Sequence, residues 1–288
     1  MQQFIFYSSW LIFPLILGFL VAFFVFKNNL LKTGILVLLI ISSIFTYARF
    51  VEPQLVVVTQ TRISLGFKTK FALISDLDLG VYKTRDYLQK VVDEVNTLDV
   101  RFLFIAGGFT YSPEKTDITS LETLFNPLKD IKVPVYGVLG NHDIAKDGDG
   151  YRKNLETALK NNKVNLLNNE FLAFQNFTLV GLGENLRNQD DVKILDTFNS
   201  EQNIIVLAHN PETVKKYTNN IADITLTGFT HGGQFRIPFL TDYLNRNTAD
   251  KGLTRINGNK VFVTSGIGET VLPLRLFNPP TIDVLNVE

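Results

Sequence analysis

Histidine occurs three times in the chain, each time just past an apolar run that reads as a β-strand. His142 lies in Gly140-Asn141-His142-Asp143 after the run 135–139. His209 follows 204–208, and His231 lies in Gly228-Phe229-Thr230-His231-Gly232-Gly233-Gln234 after 224–227. Two carboxylates, Asp76 and Asp78, follow another such run, 71–75. Imidazole and carboxylate groups bind divalent cations and carry protons. In open α/β sheets the ligand crevice lies beyond the carboxyl ends of the strands. The reading is therefore that these side chains converge on one site. Each also has a plainer role available: Asp76 as a turn cap, Asp78 as a solvated loop carboxylate, His142 as a turn residue, His209 as the start of a helix at Pro211. The chain has no cysteine, which excludes disulfides, thiolate ligands and a cysteine nucleophile.

The elements that must position these residues alternate. Strand-like runs at 71–75, 102–106 and 135–139 are separated by helix-like segments. Residues 84–98 place Leu88, Val91, Val92, Val95 and Leu98 at helical spacing, residues 117–130 are helix-like, and 152–162 carries Leu155 and Leu159 on one face. The second half has closer strands at 171–174, 177–181, 204–208, 224–227, 261–265 and 282–287, with a short helix at 211–217. This order predicts an α/β (α+β) fold of two mixed sheets face to face with helices outside. The Asp147-Gly148-Asp149-Gly150 segment reads as an exposed turn, because the remaining ligands of a calcium loop are missing. Arg236 reads as structural, with phosphate contact as the alternative.

Residues 4–26 form an uncharged apolar run, and a second run covers 33–48 after a link at 27–32. About 20 such residues cross a bilayer core of about 30 Å. A signal peptide fits less well, since Met1-Gln2-Gln3 carries no basic side chain and the run is too long. The expectation is a two-helix membrane hairpin over residues 1–50, a connector over 51–70 with a candidate edge strand from Leu55 towards Thr61, and a main domain over 71–288. Lys27 and Lys32 in the link favour a cytoplasmic link and an extracytoplasmic domain, while Arg49, Arg62, Lys68 and Lys70 pull the other way. The bilayer is the expected partner. Lys plus Arg and Asp plus Glu balance at 28 each, so no overall basic field points to nucleic acid.

Five blocks stand in order: Ser75-Asp76-Leu77-Asp78-Leu79-Gly80, Ala106-Gly107-Gly108, Gly140-Asn141-His142-Asp143, His209-Asn210-Pro211 and the Gly228–Gln234 block. Together they resemble the calcineurin-like metallophosphoesterase family over about residues 71–288. With the hairpin and the tail Leu272-Pro273-Leu274-Arg275 and Asn278-Pro279-Pro280, the likeness is to its membrane-anchored bacterial branch. The resemblance implies a four-layer sandwich and two divalent metals sharing a bridging carboxylate. Asp76 and His231 match ligands of the first metal, and Asn141 and His209 match ligands of the second. His142 matches the residue that helps the leaving oxygen depart, and His142 and Asp143 are the candidate catalytic residues. Three positions depart from the pattern: Asp78 stands for a histidine ligand, Gly108 for the bridging aspartate and Phe229 for a histidine. Glycine has no side chain to bridge cations, and phenylalanine cannot coordinate one. Two cations about 3.5–4 Å apart need anionic ligands between them. One ion of Mn, Fe or Mg type is therefore expected rather than two, on Asp76, His231 and Asp78.

The implied activity is a membrane-anchored, metal-dependent phosphoester hydrolase acting on a lipid-linked or envelope phosphoester or pyrophosphate. The alternative is a member that has lost catalysis and serves as a binding or assembly protein.

Overall fold

The structure, a computed structural model, describes all residues except 112, 114, 145–149, 200, 218–220, 238, 240 and 242–248. The segment expected to form the exposed turn at Asp147-Gly148-Asp149 lies outside the described residues.

The chain opens with α1 (Gln2–Ser8), a 3-10 turn and α2 (Ile12–Val25), then turns back through α3 (Asn29–Thr46). Asn28 caps α3 by accepting from the Leu31 amide at 3.1 Å. The turn between the helices is therefore only 26–28, shorter than the link expected at 27–32, and Lys32 sits inside α3. Helical backbone continues as a π-turn at Tyr47–Val51 and a 3-10 turn at Glu52–Gln54. The spans Gln2–Val25 and Asn29–Gln54 are both long and apolar enough to cross a membrane. Arg49 joins the two arms, donating from Nε to Ser9 Oγ at 2.9 Å and lying over the rings of Phe6 and Phe50.

Next come β1 (Val57–Ile63), β2 (Thr69–Ile74), β3 (Leu79–Gly80), α4 (Arg85–Val95), β4 (Phe102–Ala106) and β5 (Thr110–Tyr111). After them come α5 (Ile118–Phe125), β6 (Val135–Val138), α6 (Tyr151–Asn161), β7 (Val164–Leu166), β8 (Glu170–Ala173) and β9 (Thr178–Gly181). The remaining strands are β10 (Ile204–Leu207), β11 (Ile224–Thr227), β12 (Gly252–Ile256), β13 (Asn259–Val263) and β14 (Thr281–Val287). They build two six-stranded sheets, β1-β14-β2-β4-β6-β7 and β12-β13-β11-β10-β9-β8. In the first, β2, β4, β6 and β7 are parallel, and β14 enters between β1 and β2, parallel to the former and antiparallel to the latter. In the second, β9, β10, β11 and β13 are parallel.

The sheets meet through a core that includes Phe71, Leu73, Phe104, Leu179, Ile205, Leu207, Ile224, Leu226 and Leu285. Strands apolar on both faces require this double cover. The outer face of the first sheet is covered by α4, α5 and α6, through Leu88, Val91, Val92, Leu121, Phe125, Leu155 and Leu159. The outer face of the second sheet is covered by 3-10 turns at Val192–Thr197 and Pro211–Lys216 rather than long helices. The expected four layers are present. The helix expected at 117–130 breaks into α5 and a 3-10 turn at Asn126–Asp130, where Pro127 lacks the amide an α-helix would use. The edge strand expected from Leu55 towards Thr61 is β1, shifted to Val57–Ile63, and it forms the edge of the first sheet.

Candidate metal centre

Parallel β2 and β4 run on side by side beyond their last strand residues. The amides of Asp76 and Asp78 donate to the carbonyls of Gly107 and Gly108 at 2.8 and 2.9 Å. This extension holds both aspartates at the carboxyl end of the first sheet. From the second sheet, His209 follows β10, and Phe229 and His231 follow β11. Four of these residues take left-handed backbone: Asp76 (φ 49°), Asp78 (φ 48°), Phe229 (φ 71°) and His231 (φ 52°). Such backbone costs a non-glycine residue roughly 1–2 kcal/mol, and its clustering is typical of functional sites.

The distances join the set. His231 Nε2 stands 3.7 Å from Asp76 Oδ1 and 3.5 Å from Asp78 Oδ2, and His209 Nε2 is 3.9 Å from the same Asp76 oxygen. The other Asp76 oxygen is fixed by the Ser75 hydroxyl and by the Phe229 amide at 3.1 Å. His209 Nδ1 donates to the Ala106 carbonyl at 2.7 Å, while its Nε2 lies 3.0 Å from Asn141 Oδ1. His142 packs edge-on against Tyr111, with ring centroids 4.7 Å apart, within the electrostatic reach of His209 and Asp76.

Asp78 carries the clearest signal. It is buried, and both carboxylate oxygens lack a hydrogen-bond partner. A buried unpaired carboxylate is costly unless a proton or a cation neutralises it. Burial, followed by the charges of Asp76, Asp143 and Glu269, drives its carboxyl well above the usual range, with Arg275 pulling the other way. Burial pushes the His231 imidazole down to about 4 and also lowers His142. Both rings are therefore neutral near pH 7, the state in which imidazole binds metals.

Donor atoms on one octahedral cation at about 2.1 Å stand about 3 Å apart. The pairs of His231 with Asp76 and Asp78, at 3.7 and 3.5 Å, are open by about half an ångström. Among the described residues no group of three His, Asp or Glu side chains is placed to hold a metal ion as it stands. Asp76, Asp78 and His231 supply two carboxylates and an imidazole, the donor types that bind divalent cations.

One sequence expectation changes in place. Asp143 does not face the cleft. Its buried carboxylate accepts from the amides of Gly108, Phe109 and Gly140 through Oδ2 and from the amide and hydroxyl of Thr110 through Oδ1. It is a positioning residue for the loop after β4, not a catalytic one. Gly108 has φ 73°, and a Cβ there would lie 2.8 Å from Asp76 Cα. The loop has closed over the place a bridging carboxylate needs. Phe229 packs edge-on against His209 at 5.6 Å, a contact that supplies no ligand. Arg236 pairs with Asp250 at 2.7 Å and donates to the Gly232 carbonyl at 2.9 Å, matching its structural reading.

Sequence reasoning missed the loop 264–269. Gly268 approaches so closely that a Cβ would lie 2.6 Å from Asp78 Cβ. Fully buried Arg275 fixes this loop by donating to the Ser265 and Gly268 carbonyls. The pair Gly266 and Gly268 just past an apolar run was its signal.

A sequence model of calcineurin-like phosphoesterases matches residues 69–249. The chain belongs to this family. Among its relatives, the uncharacterized metallophosphoesterase YkuE of Bacillus subtilis is 26% identical over 271 residues, 85% of this chain and 90% of YkuE. The UDP-2,3-diacylglucosamine pyrophosphatase LpxG of Chlamydia muridarum is 24% identical over 307 residues, 83% of this chain and 91% of LpxG. A transmembrane protein with metallophosphoesterase domain from Danio rerio is 30% identical over 226 residues, 72% of this chain and 50% of that protein. Asp78, Gly108 and Phe229, the three positions expected from the sequence to depart from the family's ligand pattern, all border the cluster of Asp76 and His209.

Proposed function

We propose that the protein is a membrane-anchored, metal-dependent phosphoester hydrolase with one divalent cation of Mn, Fe or Mg type, acting on a lipid-linked phosphoester or pyrophosphate. The observation that carries this reading is Asp78: a buried carboxylate with both oxygens unpaired, 3.5 Å from a neutral His231. Asp76, Asp78 and His231 would hold the cation. When bound, a divalent cation supplies Lewis-acid polarisation of a phosphoryl oxygen and lowers the pKa of water.

The chain's own groups do the rest. Asp76 is locked in orientation by Ser75 and the Phe229 amide. Neutral His142 carries one ring N–H at neutral pH, and we assign that N–H to the leaving oxygen. His209, tied to Ala106, keeps its Nε2 on the Asn141 side of the cleft. Anchoring is assigned to the two apolar spans. Lys27 and Lys32 lie at the end of the hairpin away from the domain, which favours an extracytoplasmic domain. LpxG, named for a pyrophosphatase acting on a diacylated sugar nucleotide, supports an amphiphilic substrate.

The test is metal content and chromogenic phosphodiester turnover of the full chain with Mn, Mg, Fe or Zn supplied. Turnover that needs metal and is lost in Asp76→Ala and His142→Ala supports the proposal. Absence of both metal and turnover under every condition leaves the second reading, a binding or assembly protein. The closed loop at Gly108 and the phenylalanine at 229 favour that reading.

A further inference from the structure

Beside the mouth of the cluster the described residues include a group of exposed apolar side chains. Ile237, Phe239, Val271 and Phe277 keep between 51% and 89% of their surface exposed, and Phe235 and Leu272 are also exposed. Exposed apolar residues scattered singly carry no meaning; a contiguous set does.

Backbone pairing brings together the two loops that carry them. Phe235 bridges to Leu276, the Arg236 amide donates to the Leu276 carbonyl at 2.8 Å, and the Leu276 amide donates to the Gln234 carbonyl at 2.9 Å. Gln234 Nε2 reaches the carbonyls of Leu272 and Leu274 at 3.2 Å each. The same two loops border the cluster, since Phe229, His231, Thr270 and Val271 line one cleft with Phe235 and Leu272.

The rim is also stitched to the hairpin. The Arg275 amide donates to the Ala48 carbonyl at 2.9 Å, and the Phe277 amide donates to Glu52 Oε2 at 2.9 Å. Lys83, buried against Glu269 at 3.1 Å, donates to the Pro53 carbonyl. A row of rings runs from the first helix to the site: Phe6 and Tyr82 at 6.0 Å, Tyr82 and Tyr111 at 6.3 Å, Tyr111 and His142 at 4.7 Å. Beside that row lies a groove of about 480 Å³, lined by Met1, Ile5, Val81, Tyr111 and Val271. Trp10 packs on Phe50 at this end of the hairpin, and Tyr7 and Tyr47 lie at the same end, the residue types that settle at a membrane interface.

We infer that Phe235, Ile237, Phe239, Val271, Leu272 and Phe277 form a bilayer-facing rim, so that the cluster opens onto the membrane surface and takes phosphoesters carried on lipids from it. The occupant is the bilayer, because the rim continues a hairpin whose two apolar spans are of membrane length. The apolar part of such a substrate would leave along the groove beside Ile5. The substrate part of this inference rests on the hydrolase reading; the docking surface does not.

The absence of native cysteine allows single-cysteine labelling of the full chain. Ile237→Cys and Phe277→Cys would carry a bimane label in phosphatidylcholine and phosphatidylglycerol vesicles, with Phe171→Cys, exposed on β8 at the far edge of the second sheet, as control. The expected result is at least about twofold stronger quenching of the two rim labels by lipids with doxyl groups high on the acyl chain, with iodide quenching only the control. Rim labels as open to iodide as the control would overturn the inference. So would shielding in detergent that rises with protein concentration, which means a second copy. A second readout compares Ile237→Ser with Phe277→Asn on two substrates. Loss of about tenfold in kcat/KM on a vesicle-borne phosphoester, with a soluble phosphodiester changed less than about twofold, is expected from lost apolar contact. Equal loss on both contradicts the lipid presentation. If neither substrate is hydrolysed while the rim labels are lipid-quenched, the docking surface stands and the hydrolase reading falls.

Discussion

Replacing Asp143 by asparagine separates a positioning carboxylate from a catalytic one. In the native loop Oδ2 accepts from three amides, at 3.1, 3.1 and 2.8 Å, and Oδ1 accepts from the Thr110 amide at 2.9 Å and its hydroxyl at 3.1 Å. An asparagine oxygen can keep the three-amide side, and its NH2 then faces the Thr110 amide. The Thr110 hydroxyl can turn to accept, but its amide is stranded, at roughly 1–3 kcal/mol for a buried unsatisfied donor. The three retained bonds also lose their charge, about 1 kcal/mol each. Burial opposes part of this: it raises the Asp143 carboxyl against the pull of those amides, so removing the charge recovers some desolvation. The balance is a loss of about 2–4 kcal/mol. Unfolding of the full chain in detergent would read it, and hydrogen exchange by mass spectrometry would show faster exchange at residues 108–110 and 140. A loss below about 1 kcal/mol with unchanged exchange, alongside abolished turnover, would refute the positioning role.

Asp78→Asn keeps the shape of the site but removes a negative ligand, and the affinity for Mn should fall more than about tenfold by calorimetry, a coupling of about 1.4 kcal/mol or more. Unchanged affinity would place the cation elsewhere. Gly108→Asp, which on the family pattern would restore a bridging ligand, should instead destabilise the fold by about 2 kcal/mol or more, because its Cβ meets the Asp76 backbone at positive φ. A raised melting temperature in the presence of Mn would contradict this. Burial lowers the Lys83 ammonium from its ordinary 10.5 to about 8, against the attraction of Glu269. The folded chain then holds fewer protons than the unfolded one between those two values, so this group makes stability rise with pH across that window. Lys83→Met should flatten the rise seen between pH 8 and 10 in melting temperature, and an equal slope in both proteins would show Lys83 titrating normally.

Periodicity carried much of the fold. The runs 71–75, 102–106, 204–208 and 224–227 became β2, β4, β10 and β11, because strands apolar on both faces leave continuous sequence signals. The stripe Leu88, Val91, Val92 and Val95 became the buried face of α4. β12 was missed although Asn257-Gly258, with φ 48° and 82°, marks a tight hairpin between it and β13. Its alternating Leu253 and Arg255 are too exposed to read as core. The residues of the cluster were legible as types at strand ends. Their roles were not: that Asp143 turns inward to bind amides, or that Gly108 folds onto Asp76, depends on loops that meet only in three dimensions.

The placement of β14 inside the first sheet has a consequence for biosynthesis. Thr59 of β1 bonds Asp283 of β14 across a separation of 224 residues. β1 follows directly on the hairpin, so it is made early, next to the membrane, while its ladder partner β14 is made last of the sheet's strands. Through most of elongation that strand presents open amides and carbonyls, which invite pairing with other chains. Completion of the sheet is thus a late step. Slowing translation should lengthen the interval in which nascent chains crosslink to one another at the bilayer.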